Sequence, residues 1–117
     1  MHPSECARIN DMIEALSLIC HYVDGRDRAD LDTDSKLRDA LAFRMLVLGE
    51  AAKNLSEITR NECGEFPWRS AIRMRDLLAH GYNNVDLDIV WEVAIEQAPK
   101  LLPVLEKLLQ SLPEQSH

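Results

Sequence analysis

Several absences narrow the class of this chain before any motif is considered. No apolar run approaches the roughly 20 residues that a membrane-spanning helix needs, so no membrane segment is expected. The opening Met1-His2-Pro3-Ser4-Glu5 carries neither a basic lead nor an apolar signal core, which makes the cytoplasm the expected compartment. Cys6, Cys20 and Cys63 are odd in number and far apart, arguing against both a disulfide framework and a zinc site. The histidines at positions 2, 21, 80 and 117 show no ligand spacing, so neither a metal nor a cofactor is expected. No segment alternates apolar and polar residues as a strand would.

What is present belongs to an ordinary globular protein: 46% apolar and 28% charged residues in a length of 117, enough for one core. Residues 1–117 are therefore expected to form a single domain. The net charge of −7 repels nucleic acid at long range. Binding to RNA would need a local basic patch, and the same charge would equally suit a protein partner with a basic face.

Ile9, Met12, Ile13, Leu16, Ile19, Cys20 and Val23 recur at helical spacing and predict a first helix over about 4–24, stopped by Asp24-Gly25. Arg26 to Asp32 is expected to be a short charged connection. Thr33-Asp34-Ser35 offers N-cap chemistry for a second helix over about 33–60. Two heptad rows run along it, Leu41, Leu48, Leu55 and Leu37, Arg44, Ala51, Ile58, with Arg44 needing a carboxylate or a polar interface. After a loop over 61–66, Pro67 suits the first position of a third helix ending near His80, with Gly81 as its C-cap. Asp86 or Asp88 can begin the last helix, whose Pro99 and Pro103 predict a kink or break near Gln97 to Lys100. The expected fold is all-α, an up-and-down bundle of four main helices.

The third helix is where chemistry concentrates. Ala71, Arg75, Leu78 and Tyr82 fall near one line, which draws Arg75 into a core position. An unpartnered guanidinium there would cost about 3 to 5 kcal/mol. An internal carboxylate such as Glu50, a partner subunit or a bound phosphate could each answer it. Asp76 and His80 are four residues apart, and Arg69 and Arg73 extend their line into a local basic strip suited to RNA phosphates. A solvated helix face with a terminal histidine would show the same spacing. Arg75 and His80 lie about 140° apart around an ideal helix. A helix loosened near Gly81, or a symmetric dimer, would be needed to bring them together. Arginine and histidine without a metal suit phosphodiester cleavage, one stabilising charge on phosphorus and the other moving a proton.

The run Arg75-Asp76-Leu77-Leu78-Ala79-His80 resembles the arginine, polar residue, then histidine pattern of HEPN ribonucleases. Its setting is more specific: Leu48-Gly49-Glu50-Ala51-Ala52-Lys53-Asn54-Leu55 upstream, Pro67-Trp68-Arg69 before it, and His80-Gly81-Tyr82, Val85-Asp86 and Val90-Trp91 after it. Together these resemble the HepT toxins over residues 5 to 110. The resemblance implies a helical homodimer that cleaves RNA without metal, with Arg75 and His80 catalytic and Asp76 supporting. It also implies a minimal nucleotidyltransferase antitoxin that transfers AMP from ATP to Tyr82, adding negative charge where RNA phosphate must bind. From the residues alone, Tyr82 would be a packing residue with its hydroxyl on a helix-end carbonyl.

Two other functions fit parts of the pattern. A non-catalytic helical subunit that binds a nucleotidyltransferase would use the acidic surface for recognition. A nucleic-acid-binding module would use Arg69, Arg73 and Arg75 to hold phosphates, with affinity falling steeply in salt.

Overall fold

A computed structural model of the chain describes residues 4–81 and 84–113. Its helices are α1 (Glu5–Val23), α2 (Asp30–Thr33), α3 (Ser35–Asn54), α4 (Glu57–Asn61), α5 (Trp68–Leu78), α6 (Leu87–Glu92) and α7 (Ala98–Ser111). A π-helical turn, Val93–Gln97, joins the last two. The described residues contain no strand, and the architecture is an all-helical, HEPN-like bundle. Its four rods are α1, α3, α5 and the composite of α6, the π turn and α7.

Helix α1 is the central rod, packed on α3 and on α7, while α5 lies against α3. Ile9, Met12, Leu16 and Ile19 of α1 are fully buried with Leu41 and Met45 of α3 and Leu105 of α7. These are the residues that the 3.6-residue period placed on one face. Contacts at the rod ends show the directions. Glu5 at the head of α1 meets Ser56 and Thr59 beyond the tail of α3, and the Cys6 thiol donates to the Pro113 carbonyl past α7. Both neighbours therefore run antiparallel to α1. The three cysteines are free, with Cys63 buried.

The expected second helix is two helices. Helix α3 stops at Asn54, Leu55 is extended (φ −73°, ψ 150°), and Ser56 caps α4 through its hydroxyl, which accepts from the Thr59 amide at 3.2 Å. A distant group settles the break: the Glu5 carboxylate accepts the Ser56 amide at 2.9 Å and the Thr59 hydroxyl at 2.7 Å. Leu41, Leu48 and Leu55 remain buried, but Ile58, beyond the break, turns out to 74% exposure. Arg44 sits 4.0 Å from Glu14 of α1 and stacks over Phe43 at 5.1 Å.

Other boundaries shift for local reasons. The charged connection contains a helical turn, α2, tied by Arg26 to Asp30 and Asp34 and by Arg28 to Asp32 and Asp88. Pro67 stands one residue before α5, at φ −80° and ψ 72°, instead of inside it. Trp68 begins the helix, its indole N–H donating to the Cys63 carbonyl at 2.8 Å and its ring 4.4 Å from that of Phe66. Helix α5 ends at Leu78, two residues short of His80, and Gly81 takes the left-handed φ of +105°. Asp86, not Asp88, caps α6. The break expected near Gln97 lies one turn earlier, where the Ala98 amide reaches back five residues to Val93. Widening that turn accommodates Pro99, which has no amide to donate and would crowd the carbonyl four residues before it.

Candidate active site

Arg75 leaves α5 on the side facing α3, and its stem is held where the two helices approach closely at Gly49. A Cβ at Gly49 of α3 would overlap the Arg75 Cβ and stand 2.6 Å from the Ala71 carbonyl oxygen. Only a glycine lets the two backbones approach so closely. At the other end, the guanidinium is answered by two carboxylates: Nη2 lies 2.8 Å from Glu50 Oε2, and Nη1 lies 3.0 Å from Asp76 Oδ1. Asp76 first, opposed by partial desolvation and helped by Glu50, raises the Arg75 pKa above its ordinary value, so its charge is permanent. Nε is buried without a hydrogen-bond partner.

Glu50, one of the three possible answers to Arg75, does pair with it. The pair is not sealed in the core: the side chains of Arg75 and Glu50 are 26% and 48% exposed. Both line an open cleft of about 380 Å³ between α1, α3 and α5, with Arg8, Asp11, Phe43 and Asn54 on its walls. Phe43 is 56% exposed.

His80 is exposed and lies in the turn that follows α5, its amide donating to the Leu77 carbonyl at 3.2 Å. Its own carbonyl accepts from the Asn84 side chain at 3.1 Å, which ties the turn to the start of the next segment. Asp76 and His80 are thus separated by a helix end. The Asp76 carboxylate accepts a hydrogen bond from Arg75 Nη1.

Arg69 and Arg73 are exposed on α5. Arg73 opens on a different cleft, of about 550 Å³ between α5 and the composite rod, floored by Leu16, Met45 and Leu48. The two clefts share no lining residue. The strip drawn from the sequence therefore does not run into the cleft of Arg75. Tyr82 lies outside the described residues. Among the described residues no cluster of histidine, cysteine, aspartate and glutamate side chains is grouped to hold a metal ion, and no helix is long and apolar enough to cross a membrane.

Periodicity could not have found Arg8, Asp11 and Phe43 as neighbours of Arg75, since each belongs to another helix. Gly49 did carry a local signal. A glycine inside a strongly helical run costs about 1 kcal/mol relative to alanine and marks a place where something approaches closely.

A HEPN-like bundle with a carboxylate-held arginine five residues before an exposed histidine is the class that fold and site define together. The model of the ribonuclease HepT-like family matches residues 12–108, and the chain belongs to that family. It is 34% identical over 100 residues to a probable ribonuclease HepT of Thermococcus cleftensis, covering 86% of this chain and 91% of that protein. It is 35% identical over 104 residues, 89% of this chain, to a Methanocaldococcus jannaschii protein named "Gamma-glutamylcyclotransferase and putative RNase". The chain spans 47% of that protein's length. No solved structure matches the chain significantly.

Proposed function

We propose that residues 1–117 act as one domain, a metal-independent endoribonuclease with Arg75 and His80 as its catalytic residues. The observation that carries this reading is the state of Arg75: permanently charged, fixed at both ends, and open to a cleft. A buried structural ion pair would not need that opening. In the reaction, the 2′-oxygen attacks the adjacent phosphorus while the bond to the 5′-oxygen breaks. His80 takes the proton of the 2′-hydroxyl or gives one to the departing 5′-oxygen, solvent exchanging the other proton, and Arg75 stabilises the charge gathering on the phosphoryl oxygens. The products of this step are a 2′,3′-cyclic phosphate end and a 5′-hydroxyl end, and attack of water on the cyclic phosphate then opens it to a 3′-phosphate. Asp76 supports Arg75 by holding Nη1, and Arg69 and Arg73, exposed on α5 outside the Arg75 cleft, hold phosphates farther along the RNA. The ribonuclease names of the relatives support the same substrate class.

The protein works as a homodimer in this reading. Arg75 points into the α1–α3–α5 cleft while His80 lies past the helix end, so a second copy across a two-fold axis brings one copy's histidine toward the other's arginine. The half-exposed Phe43 beside Arg75 supplies an apolar contact for it. As a toxin, the dimer is neutralised by a nucleotidyltransferase antitoxin that transfers AMP to Tyr82. The new phosphate would repel RNA two residues from His80.

Wild type, Arg75→Ala and His80→Ala compared for RNA cleavage in the presence of a chelator, and for growth arrest, test the reading. Cleavage and arrest by wild type alone are expected. If no variant cleaves RNA, the protein is instead a non-catalytic subunit that binds the nucleotidyltransferase. The net charge of −7 favours that second reading. Incubation with the antitoxin and ATP is expected to add the mass of AMP to wild type but not to Tyr82→Phe.

A further inference from the structure

The donors of Arg75 can be accounted for one by one. A guanidinium carries five N–H groups. One on Nη2 goes to Glu50, one on Nη1 goes to Asp76, and the Nε–H is buried with no partner. That leaves one hydrogen on each Nη. A phosphate in the cleft can therefore be bound only at the Nη end, and the direction of that end is set by whatever grips Nη1 and Nη2. Asp76 is the next residue on the same helix and is itself 54% exposed, so it moves with Arg75. Glu50 comes from a different helix. Its main-chain carbonyl and Oε1 both accept from the Asn54 amide, at 3.0 and 3.4 Å. Next to it, Gly49 sets the distance between α3 and α5.

We infer that Glu50, seated by Gly49 at the α3–α5 contact, is the positioning residue that aims the Arg75 guanidinium into the cleft. The inference rests on the ribonuclease reading and adds a residue to it. Electrostatics alone would point the other way: two carboxylates around one guanidinium give a local charge of −1, which weakens attraction for a phosphate. Glu50 thus earns its place through the reach of its oxygen, and reach and charge can be separated by substitution. Glu50→Gln keeps an oxygen at the same distance and removes the charge. Glu50→Asp keeps the charge and withdraws the oxygen by one methylene.

The experiment measures kcat and KM for RNA cleavage by wild type, Glu50→Gln and Glu50→Asp, with thermal unfolding of each as a check on folding. Misplacing a catalytic group by about 1 Å can cost on the order of 10² in rate. We expect Glu50→Asp to lose kcat by about 10- to 100-fold with KM nearly unchanged, and Glu50→Gln to recover most of kcat. The reverse pattern, equal losses in both variants, or wild-type kcat in Glu50→Asp would each overturn the inference while leaving the ribonuclease reading intact. An inert wild type overturns both. A substitution that acted only through stability would lower kcat in proportion to the unfolded fraction, which the melting curves expose.

Discussion

At the head of α1, burial disfavours the charged form of Glu5, but hydrogen bonds from the Ser56 amide and the Thr59 hydroxyl outweigh it and hold the carboxyl below its usual pKa. A depressed folded-state pKa contributes stability that is fully present above the unfolded value of about 4.3 and is lost as pH falls through the folded value. Urea unfolding of wild type between pH 6 and pH 3 should therefore show a fall in midpoint that is weaker in Glu5→Gln. At neutral pH that variant should be less stable by about 1 kcal/mol, a charged hydrogen bond discounted for partial exposure. Gly49 makes a second residue-scale case in which two effects oppose. Alanine would gain about 1 kcal/mol of helix propensity. Its Cβ, however, would meet the Ala71 carbonyl oxygen at 2.6 Å as well as the Arg75 Cβ, and backbone cannot step aside cheaply. Overpacking of this kind costs about 1 to 3 kcal/mol or more, so Gly49→Ala should lower the denaturation midpoint, opposite to the propensity rule. His80→Ala touches no packed group and should leave the midpoint unchanged while removing about 10² to 10⁴ in cleavage rate.

The divided second rod is the chief lesson among the elements. Heptad periodicity runs through Leu55 to Ile58 without interruption, yet the helix stops at Asn54. Ser56 is a good N-cap, and with Glu5 to receive its own amide the restart at Glu57 leaves no donor stranded. Removing the cap with Ser56→Ala should cost about 1 kcal/mol and loosen α4 first, seen as faster amide exchange over 57–61 with little change in α3. The composite last rod shows a milder conflict. Proline was enough to locate a disturbance in it, but the helix absorbs the missing donor by widening over Val93–Gln97 and then continues through Pro103. For the proposed catalytic pair, the helix end at Leu78 matters most. It takes His80 out of the regular helix, so the ideal 140° offset from Arg75 no longer describes the pair.

For the whole molecule, the radius of gyration is 14.3 Å with extents of 45 × 28 × 25 Å. A chain of this length would have about 13 Å if equally rounded. An elongated bundle presents long rod faces, and Phe43 on α3 and Ile89 and Ile95 on the composite last rod are large apolar side chains left exposed on them. Phe43→Glu is expected to shift sedimentation toward the monomer, without loss of helical circular dichroism, and to abolish cleavage if the site spans two copies. The acidic net charge makes the location of the basic groups decisive, since RNA must find them against a repelling field.

The sequence by itself determined the four rods, though neither the turn α2 nor the break between α3 and α4, and with them several caps and the solvent-shy face of each rod. These follow from residues a few positions apart, through the 3.6-residue period and the hydrogen bonds of Ser4, Asp34 and Asp86 with their own next turns. It also drew Arg75 as a residue needing a partner and named Glu50 among the possibilities. Only the tertiary structure decided that Glu50 is that partner and that Asp76 turns to Arg75. It likewise placed Arg73 and Arg75 on separate clefts, and let Glu5, 51 residues away, terminate α3. Periodicity gives the direction of a side chain around its own axis; which groups meet depends on the distance and rotation between axes, and here a single glycine permits the close approach of α3 and α5.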